Sequence, residues 1–457
     1  MHSAGENRLA DGISEVEPQT AQRLQLSQEE SALRYLSFAE QQAGIVEGLN
    51  KTTAKPVQKM GVVGGGTMGQ GIASAALGAG LSVTLAERNE SSLQAAVSRT
   101  TQKNEALAAK GRITSDEAAA RNARLHGTVD MDGLSDCDLV IEAVFEDMDV
   151  KRAVLAELES VLAPEAIMAT NTSYLDINAM AVGLVRPERV LGLHFFSPAD
   201  RMPLLEVVRA QRTADGTLAT GLALAVKLNK QPVVAQVSEG FIGNRIYSAY
   251  RRCAELLVLD GATPQAIDQA VREFGYAMGP FEVSDLSGLD IAWAMRKRLA
   301  ATRNPEDRYV IIPDRLCEAG RLGRKTGRGW YDYSIGKAQP DPEVGEIIAA
   351  ARKEAGITVR NYDAKTIQRQ LIAAVVNEAA LVVNEGVARR ASDIDVTLVN
   401  GFGFPRWRGG PLYWAAQQDP ARLRADLAIL AETIGHGFRH GPVQIVLNQI
   451  SNNTGAA

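Results

Sequence analysis

Three cysteines in 457 residues, Cys137, Cys253 and Cys317, are too few and too scattered for a disulfide framework. They follow no metal-ligand or redox spacing, so no metal site is expected, and they read as small buried thiols in a reducing compartment. Long apolar runs are also missing. The most apolar window, Ile72 to Ala86, is broken by glycines and serines and is too short to cross a bilayer. The opening MHSAGENRLADG shows neither a signal-peptide core nor an Arg-rich amphipathic leader, and the closing SNNTGAA is no peroxisomal tripeptide. The expected compartment is the cytoplasm, with no membrane partner. Nor does one charge dominate: 49 Lys and Arg stand against 54 Asp and Glu, for a net charge of −5. That excludes a nucleic-acid footprint, while a local basic patch for a phosphate-bearing substrate remains open.

What the chain does have is the composition of a globular protein with a sizeable core, 46% hydrophobic and 23% charged. Its length implies about two to four domains. After a polar lead, Ser27-Gln-Glu-Glu30 reads as a capping box opening a helix, Ser27 to Gly44, with Leu33, Leu36, Ala39 and Ala43 on one face. A lone helix of that length needs a surface to dock on. It is followed by a linker, Asn50 to Pro56.

From Val57 short apolar runs alternate with amphipathic stretches. The expected strands are Lys59–Val63, Leu81–Ala86, Leu139–Ala143, Ile167–Ala169, Val190–His194, Leu204–Val208 and Val233–Val237, with helices such as Met148–Leu162 and Thr217–Leu228 between them. This alternation predicts an α/β domain with a mostly parallel sheet. Past Gly240 helical patterning takes over, at Ile242–Leu259, Pro264–Phe274, Val283–Leu299, Asp363–Gly386 and Ala421–Thr433, with a linker expected from Gly336 to Val344. The helical part also repeats itself: Asp260–Tyr276 resembles Glu385–Phe404, each with an acid–Gly helix end, then Ile-Asp, then a Gly-aromatic turn. Asn377-Glu378 is a partial echo of Asn244-Arg245.

Directly after the first strand stands Gly64-Gly65-Gly66-Thr67-Met68-Gly69, opening a helix. A glycine pattern of this kind is meaningful only in that strand-to-helix context. Gly64 permits the tight turn, Gly66 lets the backbone approach a pyrophosphate, and Gly69 lets helix and strand pack closely. The anion then meets the helix N-terminus, along Thr67 and Met68. Glu87 ends the second strand, where a carboxylate binds ribose hydroxyls and repels a 2′-phosphate. That favours NAD, although Arg88 beside it keeps NADP open.

Four polar residues sit where apolar runs end or are interrupted. Ser173 lies in Asn171-Thr172-Ser173, His194 opens HFFSP, Glu206 is an acid inside Leu204-Leu-Glu-Val-Val208, and Asn244 belongs to GFIGNR. A buried glutamate needs a partner, and a histidine is a suitable one. Glu206 could fix one imidazole nitrogen of His194 and leave the other for a substrate proton. Ser173 and Asn244 could hold the reacting oxygen. Taken singly each has a structural alternative: a strand-end histidine, two helix caps and an edge-strand charge.

At these residues the chain resembles the L-3-hydroxyacyl-CoA dehydrogenase family, in particular the dehydrogenase half of the bifunctional enoyl-CoA hydratase/3-hydroxyacyl-CoA dehydrogenases of β-oxidation. The matching stretches are GVVGGGTMGQGIA, IEAVFEDMDVK, ATNTSYL, HFFSPADRMPLLEVV, GFIGNRI, FGYAMGPFEVSDLSGLD, GRKTGRGWYDY and GFPRWRGGPLYWA, between residue 57 and about residue 415. The resemblance implies a lead and linker helix (1–55), an NAD-binding Rossmann-type domain (56–237) and two tandem all-α domains of the 6-phosphogluconate-dehydrogenase type (238–340 and 341–457), the second degenerate. It implies His194 and Glu206 as the catalytic pair, with Ser173 and Asn244 on the substrate. It puts Glu146 and Lys151 on the nicotinamide side, with further cofactor contacts at Ala143, Val144 and Asn171. The reaction implied is reversible oxidation of an L-3-hydroxyacyl-CoA to the 3-ketoacyl-CoA with NAD.

Ser197 stands in HFFSP where many members carry Asn, although the bifunctional branch often has Ser there. About 55 residues precede the Rossmann-type domain, too few for a crotonase fold, so hydratase and isomerase activities are expected to be absent. The tandem repeat makes a monomer the expected state, with a homodimer as the alternative. Two other readings compete. One is a different β-hydroxyacid or nucleotide-sugar dehydrogenase of this architecture, which would carry Lys or Cys in the catalytic slot. The other is a non-catalytic scaffold for a separate hydratase or thiolase. No motif measures the acyl chain, and the phosphates of CoA have candidates only by region, among the basic residues of Arg99–Arg112.

Overall fold

The computed structural model describes residues 18–49 and 52–454. The polar lead, the start of the expected linker and the last three residues lie outside them. After α1 (Pro18–Ala43) come β1 (Lys59–Val63), α2 (Thr67–Gly78), β2 (Ser82–Ala86), α3 (Glu90–Ala109), α4 (Ser115–Ala123), β3 (Leu125–Thr128) and β4 (Leu139–Glu142). Next are α5 (Met148–Val161), β5 (Ile167–Thr170), α6 (Ile177–Met180), β6 (Val190–Phe195), β7 (Leu204–Arg209), α7 (Asp215–Lys227) and β8 (Gln231–Gln236). The remainder is helical: α8 (Gly243–Asp260), α9 (Pro264–Phe274), α10 (Pro280–Ser287), α11 (Leu289–Arg298), α12 (Ile312–Glu318) and α13 (Pro342–Glu354). It continues with α14 (Ala364–Asn384), α15 (Ala391–Phe402), α16 (Pro411–Ala416), α17 (Pro420–Ile434) and α18 (Val443–Thr454).

The strands form one eight-stranded sheet in the order β3-β2-β1-β4-β5-β6-β7-β8. Every pair is parallel except β6 with β7. Helices on both faces bury the runs of Val, Ile and Leu that made these strands visible in the sequence. Strand order reverses between β1 and β4, and the crevice at that switch point lies outside the carboxyl ends of the strands. The antiparallel β6–β7 pair sets His194 directly opposite Glu206 in register. That pairing is the structural fact on which the site depends.

Several expectations are corrected. The helix expected to open at a Ser27 capping box runs through that point from Pro18, so Ser27 lies inside α1. The stretch Val283–Leu299 is two helices, because Gly288 takes a φ of 94° between them. The linker expected from Gly336 to Val344 ends early: Asp341 accepts the N–H of Glu343 and caps α13, which packs against α8 and α12. The strand β3 had gone unseen because its Leu-His-Gly-Thr lies on the sheet edge and carries no apolar run. Asn377-Glu378 is no echo of Asn244-Arg245. Counted from the acid–Gly helix ends, Arg369-Gln370 hold the equivalent positions, and Glu378 instead pairs with Arg245 at 2.6 Å.

The two helical halves share one hydrogen-bonded motif. In the first, Asp268 on α9 accepts the N–H groups of Phe281 and Glu282 at the start of α10 and the hydroxyl of Tyr331. In the second, Asp395 on α15 accepts the N–H groups of Leu412 and Tyr413 at the start of α16. Its tyrosine hydroxyl comes from Tyr35 on α1, at 2.7 Å. Gly279 and Gly410 occupy matching positions, where a Cβ would lie 2.2 Å from the respective aspartate. The expected docking surface of α1 is therefore the second helical half, reinforced by Glu40 on Arg406 and by Arg390 on the carbonyl of Gln42. No helix among the described residues is long and apolar enough to cross a membrane.

Candidate active site

The glycine turn after β1 has the geometry that its sequence implied. Gly64 takes a φ of 98°, in the region that glycine tolerates and L side chains avoid. A Cβ on Gly69 would fall 1.8 Å from the Gly64 carbonyl oxygen, so only glycine lets α2 start this close to β1. At Gly66 a Cβ would meet nothing within 4 Å. Gly66 is also the cap of α2 and makes no side-chain capping bond, which leaves first-turn N–H groups for an anion. Glu87, at the end of β2, accepts the Gly65 N–H at 2.7 Å and so ties its carboxylate to the glycine turn. An open backbone cradle, a helix N-terminus and that carboxylate together fit a dinucleotide. Arg88 is exposed beside it.

At the far side of the switch point stand the other polar residues. Glu206 is fully buried and His194 is 3% exposed. The carboxylate Oε2 lies 2.7 Å from His194 Nδ1, while Oε1 accepts the N–H groups of Ile242 and Gly243 at 3.2 and 2.9 Å. An unpaired buried carboxylate costs several kcal/mol, and here three partners offset that cost. The bonds to Ile242 and Gly243 also tether the start of α8, and with it Asn244, to the sheet. Asn244 is half-buried, and its side-chain amide has no partner among the described residues.

The second imidazole nitrogen, Nε2, lies 3.0 Å from Ser173 Oγ. Two rings hold the imidazole plane: Phe196 at 4.5 Å and Phe241 at 5.5 Å between centroids, both edge-on. Phe241 sits at a φ of 47°, a conformation that costs a bulky residue about 1–3 kcal/mol and is tolerated where packing enforces it. Sequence reasoning had passed over Phe241, because nothing in GFIGN marks which residue takes the turn.

Glu146 reaches the site from the loop after β4. Its Oε1 accepts the Thr172 hydroxyl at 2.6 Å and the N–H groups of Ser173 and Tyr174 at 2.9 and 3.1 Å. It therefore fixes the loop that carries Ser173. Asn171 accepts the N–H of Phe195 at 2.9 Å and so braces the end of β6 beside His194.

Lys151, expected on the nicotinamide side, is held beneath the loop after β4. It is 1% exposed, with Nζ 2.7 Å from Glu142 Oε1, 3.4 Å from Glu146 Oε2 and 3.3 Å from the Val144 carbonyl. Its ammonium is thus held between Glu142 and the loop Ala143–Glu146. Glu142, fully buried and missed in the sequence, also accepts the Val144 N–H and the Thr170 hydroxyl, each at 2.7 Å. The signal for it was present: an acid closing the apolar run Leu139-Val-Ile, with a lysine nine residues later. Ala143 and Val144 form the backbone facing Gly64, where a Cβ on that glycine would come within 2.8 Å of the Ala143 oxygen.

Residues 59–238 match the family model described as the NAD binding domain of 3-hydroxyacyl-CoA dehydrogenase, and residues 240–333 match that of its C-terminal domain. The peroxisomal bifunctional enzyme of Cavia porcellus is 40% identical over 412 residues, 86% of this chain and 57% of that protein. The chain thus spans little more than half the length of the curated relatives that it matches. Among solved structures, 3-hydroxybutyryl-CoA dehydrogenase from Escherichia coli is 29% identical, with 87% of this chain and 100% of that one covered at a TM-score of 0.73. The (S)-3-hydroxybutyryl-CoA dehydrogenase from Ralstonia eutropha is 34% identical, with 61% and 100% covered at a TM-score of 0.56.

Proposed function

The chain belongs to the 3-hydroxyacyl-CoA dehydrogenase family, and on that premise we propose that it oxidises L-3-hydroxyacyl-CoA to 3-ketoacyl-CoA with NAD. The observation that carries this reading is the relay Glu206–His194–Ser173, joined by contacts of 2.7 and 3.0 Å. With its Nδ1 proton held by Glu206, His194 presents a basic Nε2 to the cleft. There it takes the proton of the 3-hydroxyl as that carbon becomes a carbonyl. Glu206 stabilises the imidazolium that forms, and in the reverse direction the imidazolium returns the proton.

Ser173 sits against the same nitrogen and can hold the reacting oxygen in line. The unpartnered amide of Asn244 is suited to donate to the oxygen of the substrate. Bound NAD supplies the hydride acceptor, on the cradle of Gly64, Gly66, Thr67, Met68 and Gly69, with Glu87 at the adenosine ribose. Glu146, Asn171 and Lys151 act by positioning: they hold the Ser173 loop, the end of β6 and the loop after β4.

His194→Ala should abolish NAD-linked oxidation of 3-hydroxyacyl-CoA while NADH binding, followed by fluorescence, persists. Turnover retained in that variant would remove the base assignment. We further propose that the two helical halves arose by duplication, supported by the shared Asp268 and Asp395 motif, and that a monomer suffices; sedimentation as a dimer would count against the latter. The cytoplasm is our proposed compartment, against the peroxisomal names of the curated relatives, and imaging of the tagged chain separates the two.

A further inference from the structure

An aromatic path leads from the catalytic histidine into the second helical half. The His194 ring meets Phe196 at 4.5 Å, Phe196 meets Phe402 of α15 at 5.4 Å, and Phe402 meets Tyr247 of α8 at 5.5 Å. Tyr247 lies one turn beyond Asn244 on the same helix face. Where the path ends there is a cavity of about 30 Å³, walled by Tyr247, Tyr250, Tyr276, Leu398 and Phe402 among others. Leu398 and Phe402 are four residues apart on α15, so one face of that helix supplies this wall. The start of α8 rests on the same ring: a Cβ at Gly243 would lie 2.2 Å from Phe402.

A second cavity has a different chemistry. Beside the glycine turn, Gln70, Arg99 and Lys103 line an open cavity of about 520 Å³. Phosphate groups suit that cavity, and an apolar tail suits the aromatic one. We infer that Phe402, donated by the second helical half, closes the acyl end of the site and makes the enzyme selective for short-chain substrates, of about four to six carbons. The inference rests on the dehydrogenase reading above. A cavity of about 30 Å³ has room for only about two or three groups the size of a water. Longer tails would also press on the Tyr247 hydroxyl, which is buried without a hydrogen-bond partner and which no methylene can satisfy.

The test is NAD-linked oxidation of L-3-hydroxyacyl-CoAs from four to sixteen carbons by the full chain, Phe402→Ala and the milder Phe402→Leu. Circular dichroism establishes that each variant is folded. In the wild-type chain kcat/KM should fall by about tenfold or more from four to twelve carbons. In the variants the twelve-to-four ratio should rise by a similar factor, with alanine moving it further than leucine. A flat or rising wild-type profile would overturn the chain-length inference and leave the reaction standing. So would an unchanged ratio in a folded variant, for Phe402. Absence of turnover at every length would overturn both.

Discussion

Glu142 and Lys151 form a buried ion pair beneath the loop that faces the cofactor cradle, with side chains 0% and 1% exposed. The Nζ of Lys151 has three oxygens around it, and Glu142 has three donors. Removing one partner leaves the other charged and unpaired in the interior, at about 3–5 kcal/mol. Lys151→Met should therefore lower the denaturant midpoint sharply, and adding Glu142→Gln should recover much of the loss. A double variant no more stable than the single would show that the pair is not the unit of stability. This residue was legible as a candidate, but not its task. The motif marks a lysine near the cofactor, while only the packed loop shows that the ammonium points inward.

At the scale of elements, the turn between β1 and α2 separates two glycines with similar sequence credentials. Gly69→Ala would drive a methyl into the Gly64 carbonyl, 1.8 Å away, and should destabilise the fold or prevent soluble expression. Gly66→Ala meets open space, so its thermal stability should stay within about 1 kcal/mol of the wild type while NAD binding weakens strongly. Thermal melts alongside NAD titration check both; tight NAD binding in a folded Gly66→Ala chain would remove the cradle assignment. Most elements were readable because buried parallel strands are continuous apolar runs and amphipathic helices carry their period. The edge strand β3 and the helix α13 were not, since the first is half-exposed and polar and the second begins inside a proline-containing stretch that reads as linker.

On the scale of the whole molecule, the two helical halves are each pinned by a buried aspartate. Burial pushes the carboxyls of Asp268 and Asp395 up to about 7, against the opposing pull of the hydrogen bonds that they accept. An ordinary aspartate in the unfolded chain titrates near ~3.9. Between about pH 4 and pH 7 the folded protein thus holds protons that the unfolded chain has released, and linkage makes these groups lower stability as pH rises through that window. The denaturant midpoint of the wild type should fall more steeply from pH 5 to pH 7.5 than that of Asp395→Asn. Parallel slopes in the two proteins would contradict the assignment. The same aspartate takes its tyrosine from α1, 360 residues away in sequence, so the first and last thirds of the chain share one polar core.

The sequence by itself marked the candidate groups at the carboxyl ends of the strands. A glycine pattern after a strand, an acid within an apolar run and a histidine ending another are local arrangements whose physical meaning follows from strand and helix geometry. It marked the helical repeat as well, because acid–Gly ends and Ile-Asp pairs are local punctuation that can be read in each half. Tertiary structure alone decided which groups meet. The antiparallel turn of β6 against β7 puts His194 opposite Glu206, α1 completes the second half through Tyr35, and Phe402 closes a wall that α8 begins. Such contacts depend on how layers pack, and packing between distant segments leaves no period in either one.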